Sequence, residues 1–100
     1  MINSRQRAQL RGLANGIDTI LQIGKDGLNE GVLSQLEDAL RSRELVKGRV
    51  LDACPLTARE ACQELCRLCR AEPVQVIGSK FILYRENHDM DKDKRIRLVK

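Results

Sequence analysis

The chain has 100 residues, of which 42% are hydrophobic and 32% are charged, and its formal net charge is +4 at pH 7. This balance is typical of one soluble globular domain with a modest core, and it excludes a disordered chain. No run of 18 apolar residues occurs, and no secretory signal is visible, so we expect a cytoplasmic protein with no membrane partner.

The first predicted element is a helix from Ser4 to Asn15, with Ser4 as its N-cap and Gly16 at its end. Apolar residues recur at i, i+3, i+4 and i+7 along this segment, which predicts one buried stripe. The stripe comprises Leu10, Leu13, Ala14 and Ile17.

A short strand and a second helix follow, separated by a glycine-framed loop. The apolar, β-branched run from Thr19 to Ile23 predicts a buried strand. Gly24 and Gly27 frame the loop, and the helix is expected from about residue 28 or 29 to Ser42. Its apolar stripe consists of Val32, Leu33, Leu36, Ala39 and Leu40.

The middle of the chain predicts another strand and a third helix. Residues 44–51 alternate as in a strand, with Lys47 and Arg49 on one face that we expect to be partly wet. Thr57 caps the helix, which extends to about Arg70, because Glu60 stands at the spacing of a capping box. Its expected buried face contains Ala58, Ala61, Cys62, Leu65, Leu68 and Cys69.

The last elements form a hairpin. Residues 73–77 and 80–85 are predicted strands, joined by a two-residue turn at Gly78 and Ser79. The domain is expected to span residues 1–86, and a polar tail follows over 87–100, in which residues 96–99 could add a short edge strand. The order αβαβαββ with right-handed crossovers predicts a single two-layer α/β domain with a mixed four-stranded sheet.

Scarce aromatic and histidine residues narrow the function classes. Phe81 and Tyr84 are the chain's aromatic residues, and their spacing on one strand points them to opposite faces. A sheet that stacks single-stranded bases on aromatic rings is therefore disfavoured. His88 is the single histidine and lies in a polar stretch, so we expect no enzyme, no metal site and no cofactor.

The loop from Gly24 to Gly27 has G-x-x-G spacing and joins a buried strand to a helix N-terminus. Glycines permit positive φ and leave no Cβ to obstruct a ligand, while helix N–H groups and Lys25 favour an anion. The spacing matches the KH-type clamp on a nucleic-acid backbone rather than a P-loop. The alternative is a tight turn without a ligand, and the Asp26 carboxylate opposes phosphate binding.

Several stretches in sequence order resemble the YhbY family, the bacterial stand-alone form of the chloroplast RNA splicing and ribosome maturation (CRM) domain. The matching stretches are Arg5-Gln6-Arg7 with Leu10-Arg11-Gly12-Leu13-Ala14, Gln22-Ile23-Gly24-Lys25-Asp26-Gly27-Leu28 with Glu30, Ala39-Leu40 with Glu44-Leu45-Val46-Lys47, and Val74-Gln75-Val76-Ile77-Gly78 with Leu83-Tyr84-Arg85. The sequence departs from the family at Asn15, Asn29 and Gly48, where relatives usually carry other residues.

The resemblance implies a fold like the C-terminal domain of bacterial translation initiation factor three. It also implies RNA binding, with ribosomal RNA or precursor large ribosomal subunits as partners, and hence a ribosome assembly factor, which we expect to be monomeric. The G-x-x-G loop would carry the contacts, together with basic residues that we add on charge grounds. The candidate contacts are Gly24, Lys25, Asp26, Gly27, Leu28, Arg5, Arg7, Arg11, Lys47, Arg49, Lys80 and Arg85.

Two alternatives to RNA binding stay open. One is a thiol-based metal or redox protein, since Cys66 and Cys69 have C-x-x-C spacing and Cys54 and Cys62 lie nearby. Small buried hydrophobic residues are the more economical interpretation, because zinc-binding C-x-x-C pairs lie in turns rather than inside a helix. The other alternative is a protein–protein interaction module without RNA contact.

Overall fold

The fold is described from a computed structural model covering residues 2–100, and the element order predicted from the sequence is confirmed. The elements are α1 (Ser4–Ala14), β1 (Thr19–Ile23), α2 (Glu30–Arg43), β2 (Leu45–Val50), α3 (Ala58–Cys69), β3 (Glu72–Ile77) and β4 (Lys80–Tyr84). Between residues 2 and 100, none of the helices has the length and apolar content needed to span a bilayer.

The four strands form one mixed sheet, as the sequence predicts, and the structure places them in the order β1-β2-β4-β3. β1 pairs with β2 in parallel, since α2 returns the chain across the sheet between them. β4 is antiparallel to both β2 and β3. Gly78 takes φ of +56° in the turn between β3 and β4, which suits the first position of a type II′ turn. The GxxG loop, the end of β2 and the β3–β4 turn consequently lie at one edge of the sheet.

Helices cover both faces of the sheet, so a partial layer is present beyond the two that the sequence predicts. Phe81 and Leu83 of β4 belong to the larger apolar cluster, which α2 and α3 cover. Ile82 and Tyr84 point to the other face and belong to a smaller cluster with Leu10 of α1. A strand whose consecutive side chains are buried must be covered on both faces, because successive side chains alternate.

The helix caps are well formed, and one differs from the prediction. Asn3, rather than Ser4, is the N-cap of α1, because its side chain accepts the Gln6 N–H and Gln6 completes a reciprocal capping box. Asn29 caps α2 by accepting the Val32 N–H at 2.9 Å. The predicted capping box of Thr57 and Glu60 at α3 is confirmed.

Two leucines predicted to be buried are exposed. Leu13 of α1 retains 45% of its accessible surface, and Leu68 of α3 retains 44%. Each follows a fully buried leucine by three residues, which turns it to the margin of the buried arc rather than its centre. Both predictions were wrong because periodicity does not tell how wide an arc the sheet covers.

The tail over 87–100 packs against the domain. Residues 96–99 do not form the short edge strand that the sequence analysis considered possible. Instead, the fully buried carboxylate of Glu44 accepts the backbone N–H groups of Asn87 and Ile96, each at 2.7 Å. Gln9 on α1 binds the tail further along, donating to the Arg97 carbonyl at 2.7 Å and accepting the Val99 N–H at 2.9 Å. Side-chain donors and acceptors on the domain thus take the place of a partner strand.

Candidate nucleic-acid interface

The G-x-x-G segment forms a closed turn at the end of β1. The Gly27 N–H donates to the Gly24 carbonyl at 3.1 Å, and Gly27 takes φ of +64°. A positive φ of this size is easily adopted by glycine and is strained for most other residues. Lys25 and Asp26 stand exposed at the tip of the turn. The backbone therefore presents both polar side chains to solvent at the sheet edge.

The neighbouring loop fixes the shape of this turn. A Cβ placed on Gly27 would lie 3.6 Å from Cγ of Pro55, so the loop around Pro55 lies close beside the turn. The Leu51 N–H donates to the Ile23 carbonyl at 2.8 Å and joins the ends of β1 and β2. Gly27 is buried, and it has a structural role whether or not the turn binds a ligand.

The backbone N–H groups of the turn divide into used and free donors. Those of Gly27 and Asn29 donate within the turn, the latter to the Gly27 carbonyl at 3.1 Å. Those of Lys25, Asp26 and Leu28 have no acceptor within residues 2–100. Two of these donors belong to the tip of the turn and the third to the residue after Gly27, so they are available to an external acceptor.

The N-terminus of α2 adds little positive potential to the turn. Asn29 already satisfies the Val32 N–H, and Glu30 places a carboxylate in the first helical turn. A negative side chain at this position offsets the positive end of the helix dipole. Attraction for a polyanion must come mainly from cations near the turn.

Such cations stand on the adjacent sheet face. The strand register aligns Gln22 with Arg49, Arg49 with Lys80, and Lys80 with Ile77, so these residues form one row across all four strands. The side chains of the row are exposed. Arg49 and Lys80 are therefore direct cross-strand neighbours in solvent.

Lys47 continues the basic surface one row further from the edge. It pairs in register with Ile82 and lines a cavity of about 110 Å³ together with Lys80 and with Asn15 from the end of α1. We call Lys47, Arg49 and Lys80 the basic sheet face. Within residues 2–100, none of the three makes an ion pair, and the same holds for Lys25. Their charge is therefore available to an external partner.

Arg85 stands apart from this surface. Its guanidinium forms a two-pronged ion pair with Glu37 of α2 and also donates to the Cys69 carbonyl at 3.0 Å. The hydrogen bond from Arg85 lowers the pKa of Glu37. The side chain joins α2, α3 and the end of β4, so the structure assigns Arg85 to the scaffold and not to a free basic surface.

The three predicted arginines of α1 are spread along the helix. Arg5 and Arg11 are exposed. Arg7 is half-buried, and its Nε donates to the Pro73 carbonyl at 3.3 Å. The start of α1 lies at the far edge of the sheet, where the Ile2 N–H donates to Glu72 Oε1 at 3.0 Å. Of the three, only Arg11 is in the last turn, towards the basic sheet face.

The four cysteines lie on or beside α3 with free thiols. Cys62 and Cys69 are buried in the larger cluster, and Cys54 and Cys66 pack against it. A hydrogen bond with Cys62 raises the pKa of Cys66, and burial raises the pKa of Cys69. Residues 2–100 contain no group of three or more His, Cys, Asp or Glu placed to hold a metal ion.

The surface around the basic sheet face also contains residues that the sequence did not indicate as candidate contacts. They are Gln22, Gln75, Ile77 and Asn15. Ile77 is 61% exposed, although an apolar strand residue is normally a core candidate. The missing signal is the strand register, which decides which residues of four separate segments form one row.

Comparison with known proteins agrees with the fold. The family model described as "CRS1 / YhbY (CRM) domain" matches residues 2–85. The "Probable RNA-binding protein YqeI" of Bacillus subtilis is 34% identical over 89% of this chain and 93% of its own length. An "RNA-binding protein" of Haemophilus influenzae is 34% identical over 88% of this chain and 89% of its own. The solution structure of SAV1595 from Staphylococcus aureus superimposes with a TM-score of 0.78 at 40% identity, covering 99% of this chain and 100% of that one.

Proposed function

Because the chain belongs to the CRS1/YhbY (CRM) domain family, we propose that it binds RNA through the GxxG turn and the basic sheet face. The observation that carries the proposal is the cross-strand row in which Arg49 and Lys80 stand side by side, unpaired and exposed. The names of the Bacillus and Haemophilus relatives support RNA as the polyanion. The mechanism is binding rather than catalysis.

The turn and the sheet face take different parts of the RNA backbone. The free N–H groups of Lys25, Asp26 and Leu28 hold one phosphate, and the Lys25 ammonium adds a mobile positive charge. Arg49 and Lys80 take the following phosphates along the sheet. Because these contacts go to the backbone, attraction is salt-dependent and largely independent of sequence. The Asp26 carboxylate lowers the affinity of the turn by repelling the phosphate.

The proposed partner is structured RNA, with ribosomal RNA in precursors of the large subunit as the setting implied by the family resemblance. We propose that the protein acts there in the cytoplasm, as a monomer and as an assembly factor. Sedimentation of lysate at low salt tests the setting: the protein should move with large-subunit precursors and leave them after nuclease treatment. Co-sedimentation that survives nuclease treatment contradicts it and favours a protein partner.

A salt series with matched charge variants tests RNA binding itself. For wild type, log Kd should rise with log salt by about 0.7–0.9 per phosphate contacted. The double variant Arg49→Gln/Lys80→Gln should bind more weakly with a slope smaller by about two contacts. The control Arg59→Gln/Lys94→Gln removes the same charge from exposed positions outside the site. If both double variants lose the same amount of affinity, binding depends only on the overall positive charge, and the proposed site is wrong.

Substitutions in the turn need care because Gly27 is structural. Lys25→Glu alters the tip without touching the positive-φ position, and its control is Lys94→Glu in the tail. Lys25→Glu should weaken binding more than Lys94→Glu does, with an unchanged melting temperature. A Gly27→Asp variant alone could lose binding by unfolding the turn, so its result counts only beside that of Lys25→Glu.

A further inference from the structure

An open, mostly apolar cleft lies between the ends of α1 and α2, the first halves of β1 and β2, and the tail. Its volume is about 380 Å³, which is within the range of small-ligand sites. Its walls are built from aliphatic side chains: Leu13, Ile17, Ile20, Leu45 and Ile96. The cleft is distinct from the GxxG turn, but the two surfaces are joined, because Lys47 lines the cleft and also belongs to the basic sheet face.

The exposed apolar surface of this cleft is not explained by folding. Leu13 continues the periodic stripe of α1, yet it is left 45% exposed at the mouth. Ile17 and Ile20 are half-buried beside it. Aliphatic walls without a covering element favour a ligand with flat apolar faces, since burying such surface against water is favourable.

The polar groups at the rim say what kind of ligand fits. Asp18, Arg43 and Lys47 line the cleft, and within residues 2–100 their side chains make no ion pair and no hydrogen bond. The lining thus contains two cations and a single carboxylate. The cations complement a phosphate and the carboxylate complements a hydrogen-bond donor, so the ligand should carry a negative group beside an apolar plane edged with N–H groups.

We propose that this cleft binds one unpaired nucleotide of the RNA, with the base between the aliphatic walls and its phosphate at Lys47 and Arg43. This inference rests on the proposed function and adds base selection to it. Unpaired bases are commonly read by contacts on both faces and by hydrogen bonds to the Watson–Crick edge. Here aliphatic side chains replace the aromatic rings that the chain lacks.

The unpaired carboxylate selects guanine. The Watson–Crick edge of guanine presents two adjacent N–H donors, at N1 and N2, which match the two oxygens of Asp18. Adenine, cytosine and uracil each set an acceptor next to their donor, and that acceptor faces the carboxylate unfavourably. Guanine is thus held by two parallel hydrogen bonds to a charged acceptor, a strong arrangement.

Short RNA probes test the assignment. The probes are a seven-residue oligouridine and three versions with guanosine, adenosine or cytidine at the centre, measured against the full chain at low salt. The probe with a central guanosine should bind about fivefold to tenfold more tightly than the other three. This factor is at the lower end of the discrimination that a bidentate base contact provides. Methyl resonances of Leu13, Ile17 and Ile20 should shift with the guanosine probe and less with the others. Equal affinity for all four probes overturns the inference.

Two pairs of variants separate the cleft from general effects. Asp18→Asn should abolish the guanosine preference, whereas Asp38→Asn, which removes the same charge from the exposed face of α2, should preserve it. Leu13→Gln should weaken binding of the guanosine probe. Leu68→Gln should not, although Leu68 on α3 has nearly the same exposed fraction as Leu13. Equal effects within either pair contradict a base-binding cleft.

The same probes distinguish failure of this inference from failure of RNA binding. If all four probes bind equally with a normal salt slope and Lys25→Glu weakens them all, the cleft assignment is wrong and the backbone interface stands. If none of the probes binds while structured RNA does, the cleft assignment is also wrong. If neither the probes nor structured RNA binds, the proposed function fails and this inference falls with it.

Discussion

The Phe81 ring lies directly over the backbone of Gly48. A Cβ placed on Gly48 would stand 2.6 Å from Cζ of Phe81, a distance that real Cβ atoms do not show. The two residues are register partners on β2 and β4, and Phe81 is fully buried in the larger cluster. The absence of a side chain at Gly48 thus makes room for the Phe81 ring. The pair shows how a residue without a side chain on one strand accommodates a bulky ring on the neighbouring strand.

Enlarging Gly48 should therefore destabilise the fold. We expect Gly48→Ala to cost about 1–3 kcal/mol of unfolding free energy, because the buried ring must shift in a packed core. In the Gly48→Ala/Phe81→Leu double variant the two costs should be less than additive. Urea unfolding measures both.

Gly12→Ala is the control for this substitution. Nothing lies within 4 Å of a Cβ at Gly12, and the residue is exposed in the last turn of α1. Gly12→Ala should therefore raise the free energy of unfolding by about 0.5–1 kcal/mol. A Gly48→Ala variant as stable as wild type would contradict the packing described here.

The buried Glu44 carboxylate should hold the tail to the domain. Glu44→Gln keeps the side-chain volume but loses the charge and one acceptor for the two tail amides, so about 1.5–3 kcal/mol should be lost. Hydrogen exchange at the amides of Asn87 and Ile96 should accelerate selectively. The exposed Glu30→Gln is the control, and unchanged exchange in Glu44→Gln would show that other contacts fix the tail.

Stability should fall at acid pH through the ion pair of Glu37 and Arg85. Because the folded state lowers the pKa of Glu37, stability from this group is present above its usual value of 4.5 and is lost as the pH falls through the folded value. Glu37→Gln should cost about 1 kcal/mol at neutral pH, discounted because the carboxylate is partly exposed, and its cost should shrink below about pH 5. Urea midpoints across pH measure this effect.

The ion pair of Glu64 and Arg67 provides the comparison. Hydrogen bonding to Arg67 also lowers the pKa of Glu64, but this pair is on the surface. Glu64→Gln should therefore change stability much less than Glu37→Gln at neutral pH. Equal effects would mean that Arg85 does not serve as a link between α2 and α3.

The cysteines should behave as core residues. Cys62 and Cys69 are buried, and the raised pKa values of Cys66 and Cys69 keep their thiols protonated. With an aromatic disulfide at pH 8, we expect these three thiols to react slowly in the native protein and all four to react at once in urea. Rapid reaction of all four thiols in native protein would favour a thiol-based function instead.

The sequence predicted most of the fold because the local signals agree. The stripe of α2, the capping box of α3 and the glycine turn before β4 each indicate their element independently. The candidate site was harder to predict from the sequence than the fold. On charge grounds, both Arg49 and Arg85 were predicted to contact RNA. The three-dimensional structure shows that Arg85 forms an ion pair with Glu37, whereas Arg49 forms none within residues 2–100. The row that joins Arg49 to Lys80 and the cleft beside Leu13 depend on strand register and helix placement, which no local pattern encodes.

The most direct test of RNA binding at this edge is a footprint on the protein. Amide chemical shifts of the full chain would be recorded with a short RNA stem-loop at increasing salt. We predict changes at residues 24–28 and along the row of Gln22, Arg49, Lys80 and Ile77, and we expect salt to reverse them. Changes confined to the exposed side of α3 or to the tail, with the GxxG turn and the basic sheet face unshifted, would contradict the account.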